Sequence, residues 1–323
     1  MQVGLVQLPD GGCMFCTAPP HLLNTSSKHR ASGKTRNPAT SGFVFLLAAL
    51  ACFATLDTTT KTVVYTLPLV TAVWVRCMFQ ALLTTAYVLP QRGRNVLHTA
   101  HLRAQLVRGA LFTGVTYLAF SCLKFLPLAE FSSIAASAPL VVTLLAGTVL
   151  GERVSLARLL LVAGGLAGTL LIVRPNGTLS GWDLLMPVAL VLSNATYQLL
   201  TRRISLRDNP LTTHFYTVWI AAIATTLVAI PLWEPVTGLH NWLMLALIGT
   251  ASATGHMLMI HAFQRTQAIA LMPFMYAQIG FGMFGGWLVF GQIPDGLAMI
   301  GIACVVVCGV LGGMLARWEA NAR

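Results

Sequence analysis

Asp57 and Lys61 stand four residues apart in an otherwise apolar stretch, and Arg76 lies in the next one. Residues at i and i+4 share a helix face. At about 1.5 Å of rise per residue, Asp57 falls roughly 10 Å below the outer end of its helix and Arg76 roughly 12 Å below the outer end of the next, so the two charges are level. Two chemistries suit them. One is a structural ion pair that fixes the helices, with Lys61 reaching along its stem to the outer interface. The other is contact with a charged solute, or carriage of a coupling proton by Asp57.

Further polar groups recur at helical spacing. Asn194, Tyr197 and Gln198 stand at i, i+3 and i+4, a stripe that serves either as a cavity wall or as interhelical hydrogen bonding. Tyr276 and Gln278 follow Pro273 and precede Gly280, Gly282, Gly285 and Gly286, which suits a helix that bends and packs closely. Glu130 beside Ser132 and Ser133 extends the polar patch or pairs with Lys124. His256 and His261 are five apart and turn away from each other, so they form no two-point metal face. His256 reads as a cavity or relay group and His261 as interfacial. Trp219 and Tyr216 read as interfacial or lipid-facing aromatics.

The elements that hold these residues are set by composition. The 323 residues are 56% hydrophobic and only 9% charged, with mean hydropathy +0.75. A water-soluble chain carries about a quarter of its residues charged, so the solvent here is lipid. The net charge of +11 does not signal nucleic acid, because the basic residues are spread through short loops rather than gathered on one face. Of the cysteines, 52, 77, 122, 304 and 308 lie in apolar runs, where a thiol packs as a small hydrophobe. Cys13 and Cys16 have no second pair nearby, so no zinc site and no cofactor is expected.

Ten apolar runs have the length that crosses a bilayer core of about 30 Å: 42–63, 68–90, 104–123, 126–148, 155–174, 181–201, 211–231, 239–261, 268–290 and 296–316. The connections are short, so neighbouring helices are antiparallel. With the N-terminus inside, sixteen Lys and Arg fall on the cytoplasmic side, Arg108 among them, against Lys61, Lys124 and Arg174 outside. The positive-inside rule then places both termini in the cytoplasm. Residues 1–40 read as a disordered basic cytoplasmic tail.

A shift of 140 residues lays AGTVLGERVS (146–155) over GWLVFGQIPD (286–295). Repeats of five helices have opposite orientation, an arrangement that lets an interior site face either side of the membrane. The expected fold is an all-α membrane protein of ten transmembrane helices in two inverted five-helix repeats, 41–175 and 181–316.

Gly151 and Glu152 after helix 4, with Pro139 a few turns earlier, resemble the EamA-type branch of the drug/metabolite transporter superfamily. So do Leu56-Asp57-Thr58-Thr59-Thr60-Lys61 and Arg76. The resemblance implies a central cavity and movement of amino acids, amphipathic metabolites, vitamins or drugs across the inner membrane. Gln292 stands where the second repeat of that family often has Glu. The residues expected at the cavity are Asp57, Arg76, Asn194, Tyr197, Gln198, Tyr276, Gln278 and His256. Lys61, Glu130, Pro139, Gly151, Glu152 and Pro273 are expected in structure or gating. No nucleotide-binding GxxxxGK[ST] motif is present, so the energy source is a gradient, with a proton as one candidate. A membrane enzyme and a channel or sensor are the rival classes, and a homodimer is one option for assembly.

Overall fold

The computed structural model describes residues 38–142, 155–173, 182–204, 208–266 and 271–321. Residues 1–37 of the expected tail, Gly151 and Glu152 lie outside these residues, and 38–40 belong to the first helix. The described helices are α1 (Pro38–Val63), α2 (Leu69–Arg92), α3 (Leu102–Phe125), α4 (Leu128–Ala136), α5 (Leu156–Val173), α6 (Trp182–Ile204), α7 (Pro210–Ala229), α8 (Leu239–Arg265), α9 (Ala277–Phe290) and α10 (Gly296–Asn321). Short 3₁₀ turns follow α2 (Gly93–Leu97) and precede α9 (Met272–Tyr276). Six of the helices are long and apolar enough to cross a membrane, and four shorter apolar helices complete the ten.

Helix ends follow local chemistry. Asn209 caps α7 by accepting from Leu211 N at 2.9 Å, with Pro210 at the first helical position, where its missing N–H costs nothing. Pro139 cannot donate to the carbonyl four residues earlier. The fourth helix accordingly breaks at Ser137 and resumes over 138–142, while Ser137 Oγ donates to Ile134 O at 2.7 Å. Gly291 ends α9 with φ 63°, a left-handed conformation that glycine adopts without steric cost.

The packing has the symmetry of an inverted repeat. Helix α1 lies on α8, and α3 on α6; α2 lies on α7, α4 on α9 and α5 on α10. Exchanging each helix for the one five places away turns the first pair into the second and returns the other three pairs to themselves. The α2–α7 seam repeats this in its bonds. Trp74 Nε1 of α2 donates to Thr226 Oγ1 of α7, and Trp219 Nε1 of α7 donates to Thr85 Oγ1 of α2, each at 2.8 Å. Trp219, expected at the interface or facing lipid, is therefore an interhelical donor. The α5–α10 seam closes on glycine: a Cβ on Gly168 would lie 2.8 Å from Gly301 O, and one on Gly301 would lie 2.7 Å from Gly168 O. At its end Arg158 Nη2 pairs with Glu319 Oε2 at 2.6 Å.

Candidate functional site

Interior polar groups form two connected regions. In the first, Asp57 of α1 accepts a hydrogen bond from Gln278 Nε2 of α9 at 3.4 Å, while Gln278 Oε1 is buried with no partner among the described residues. Asp57 lies in the interior, with intermediate exposure as a residue. Arg76 feels the charge of Asp57 but is not in ion-pair contact with it. The expectation that the two charges pair is corrected by the helix order. Helix α8 packs against both α1 and α2 and separates the consecutive pair.

Lys61, one turn further, turns inward onto the end of α3. It is 3% exposed, and its Nζ donates to Leu123 O at 3.0 Å and Leu126 O at 2.7 Å. These carbonyls have no intrahelical partner at the C-terminal end of α3, and a cation complements that end of the helix. Glu130 is near enough to interact electrostatically with Lys61. Where the second repeat carries Gln292, the side chain reaches across to the first: Oε1 accepts from Leu128 N at 3.2 Å, at the start of α4.

The second region lies between α2, α3, α6, α7 and α8. Gln80 Oε1 accepts from Ser252 Oγ at 2.9 Å, and Gln80 Nε2 lies 3.3 Å from His256 Nδ1. His256 Nδ1 also lies 2.8 Å from Ser252 O, so this one ring nitrogen faces both an amide nitrogen and a carbonyl oxygen. The His214 ring stacks on His256 with centroids 5.3 Å apart, and His214 Nε2 lies 3.4 Å from Thr84 Oγ1. Phe53 and Phe112 meet the His256 ring edge-on at 5.0 and 5.9 Å. Among the described residues no three His, Cys, Asp or Glu side chains converge on a metal-sized space.

Arg108, counted in the sequence among the charges of the cytoplasmic side, is 5% exposed and joins α3 to α6 and α7. Nε donates to Thr201 Oγ1 at 2.7 Å, Nη1 to Thr213 O at 3.0 Å and to Thr217 Oγ1, and Nη2 to Tyr197 Oη at 2.7 Å. The signal was present in Tyr197/Thr201 and Thr213/Thr217, two i, i+4 pairs of hydroxyls on α6 and α7. His214 was also missed; its neighbour Thr213 and partner Thr84 give no short motif that would mark it.

Of the α6 stripe, Tyr197 binds Arg108, while Gln198 Nε2 donates to Asn194 Oδ1 at 3.4 Å within the helix. Tyr276 packs away from these groups: a Cβ on Gly309 of α10 would fall 2.0 Å from its hydroxyl oxygen, and it belongs to an apolar cluster with Ile279 and Val305. Pro273 falls within the 3₁₀ turn before α9. The facing helices α4 and α9 are thus both interrupted, as are helices that line solute sites in repeat-built carriers. His261 Nε2 lies 2.7 Å from Tyr87 Oη.

A sequence model described as the EamA-like transporter family matches residues 40–174 and 181–312. The chain belongs to the EamA-like transporter family. It is 30% identical over 276 residues to the pseudopaline exporter CntI of Pseudomonas aeruginosa, covering 83% of this chain and 94% of that one. It is 25% identical over 283 residues to the riboflavin transporter of Vibrio cholerae, covering 87% and 94%. An S-adenosylmethionine uptake transporter of Rickettsia bellii is 22% identical over 215 residues, 66% of this chain and 73% of the relative. A crystal structure at 22% identity superposes with a TM-score of 0.61 over 87% of this chain and 99% of its own, which supports the fold. As an EamA-like protein, the chain is a multi-pass membrane transporter.

Proposed function

We propose that this transporter moves a small amphipathic or zwitterionic metabolite across the cytoplasmic membrane by alternating access, with both termini cytoplasmic and the repeats spanning 41–175 and 181–316. The observation that carries the reading is Asp57, a carboxylate about three-quarters of the way along an apolar helix, met by a long hydrogen bond from Gln278. An acid in such a place is costly unless it meets a cation, a solute or a proton. The relatives' names support the size class of the solute: pseudopaline, riboflavin and S-adenosylmethionine are each carried by one of them. Asn194, Gln198, His256 and Arg76 complete the solute-facing set in this reading, and Asp57 is the carrier of a coupling proton.

The test is uptake into liposomes containing the purified protein, from a pooled set of labelled amino acids, vitamins and nucleosides, with and without an inward proton gradient. Saturable, gradient-dependent accumulation that collapses in Asp57→Asn is expected. Undiminished accumulation in that variant returns Asp57 to a structural role, and absence of flux for every solute removes the carrier reading.

A further inference from the structure

Two arginines lie buried at membrane depth, and they are not equivalent. Arg108 spends its donors on four acceptors from α6 and α7. Arg76, 6% exposed, makes one hydrogen bond: Nη1 donates to Thr116 Oγ1 at 2.9 Å. Its Nε is buried with no partner, and among the described residues no carboxylate reaches ion-pair distance. The guanidinium otherwise meets the neighbouring Cys77 thiol and the rings of Phe112 and Phe120, each centred 5.7 Å away.

Phe112, Thr116 and Phe120 recur every four residues, so one face of α3 forms a cradle of two rings and a hydroxyl around the cation. Tyr117 of the same helix has a buried hydroxyl with no partner. A guanidinium has five N–H donors in a planar fork that matches a carboxylate. Held in an apolar cradle with one acceptor, it is costly in the empty protein and becomes favourable when an oxyanion arrives.

We infer that Arg76 is the anion-binding residue of the solute site and that the transported metabolite carries a carboxylate, bound by the Arg76 fork with Thr116 orienting it and Phe112 and Phe120 flanking it. Asp57, which Arg76 feels without touching, then faces the cationic or protonated part of the same solute. This rests on the transporter reading and narrows it: the carboxylate, not an uncharged ring, sets recognition.

The experiment uses the full-length protein in nanodiscs and proteoliposomes. The probes are amino, hydroxy and dicarboxylic acids, each beside its own primary amide, with ligand-induced thermal stabilisation and counterflow as readouts. A carboxylate that stabilises wild-type protein while its amide does not is the expected result. Arg76→Gln is expected to lose that response by roughly tenfold or more, the cost of a hydrogen-bonded charge, while its own melting temperature stays level or rises. Arg76→Lys keeps charge without the fork, so it folds and retains a weakened response; an undiminished one overturns the inference. An amide that binds and moves as well as its acid also overturns it, and leaves transport standing. Carboxylate binding with no flux of any probe leaves Arg76 assigned and sinks the transporter reading; neither binding nor flux from any acid or amide overturns both.

Discussion

Arg108 Nη2 donates to Tyr197 Oη at 2.7 Å, and the guanidinium carbon lies 4.7 Å from the centre of the same ring. One side chain thus receives both a hydrogen bond and a cation–π contact, and Thr201, Thr213 and Thr217 accept three further bonds. The bonds cross from the first repeat to the second at α3–α6 and α3–α7. Arg108 is therefore a structural clamp, in contrast to Arg76.

Replacing Arg108 by Gln is expected to cost about 2–3 kcal/mol, the range for buried hydrogen bonds to a charged group. Thr201 and Tyr197 would be left with unmatched acceptors. The measurement is thermal unfolding of the purified variant beside Arg76→Gln. Arg108→Gln should melt clearly lower and Arg76→Gln should not. Equal losses would mean that the difference in their bonding has no energetic weight.

The contrast marks how far the sequence could be read. Helix number and the repeats were legible, since apolar run length and odd repeat size are local quantities. The partners were not. Asp57 and Arg76 are level, yet α8 intervenes, and helix order in the plane of the membrane depends on packing between segments distant in sequence. Lys61 and Arg108 were read as loop or interface charges because they lie near helix ends. The acceptors of Lys61 are carbonyls at the α3 end, which no short spacing reveals; for Arg108 the i, i+4 hydroxyl pairs on α6 and α7 were visible, but not that α3 packs against both.

The α5–α10 crossing should tolerate no side chain at Gly168. Its Cβ would stand 2.7 Å from Cys304 Cβ and 2.8 Å from Gly301 O, and a backbone oxygen cannot rotate away. Gly168→Leu is expected to abolish monodisperse protein on size exclusion, and Gly168→Ala to lower stability by about 1–3 kcal/mol, the usual cost of overpacking. Gly114, which has open space around its Cβ position, is the control. An alanine there should leave the melting temperature unchanged, and a loss matching that at Gly168 would refute the close crossing.

Gln292 tests the tie between repeats at the start of α4. Its Oε1 accepts from Leu128 N, an N–H that no intrahelical carbonyl can reach. Gln292→Ala should therefore cost about 1 kcal/mol, as loss of a helix cap does. Gln292→Glu keeps the acceptor and should retain most of the stability. A melting temperature that falls equally for both substitutions would show that the carbonyl is not what matters.

Asp208, in the connection between α6 and α7, fastens that segment to the start of α3. Its Oδ2 accepts from Thr99 Oγ1 and, at 2.9 Å, from Gln105 Nε2; its Oδ1 accepts from Ala100 N at 3.2 Å. Burial disfavours the carboxylate, but the bonds from Thr99, Gln105 and Ala100 outweigh it and hold the acid below its ordinary value. A folded-state value lower than the unfolded one means that the clasp stabilises fully above the unfolded value of about 4 and is lost as pH falls through the lower folded value. In a pH series of thermal unfolding, wild-type protein should therefore lose stability below about pH 4 more steeply than Asp208→Asn, which cannot titrate. At neutral pH the variant should be less stable by about 1–3 kcal/mol, since an amide nitrogen would face the donors of Thr99 and Gln105. Parallel curves for the two proteins across the acid range would mean that Asp208 titrates alike in the folded and unfolded chain, and the clasp would then contribute no charge-dependent stability.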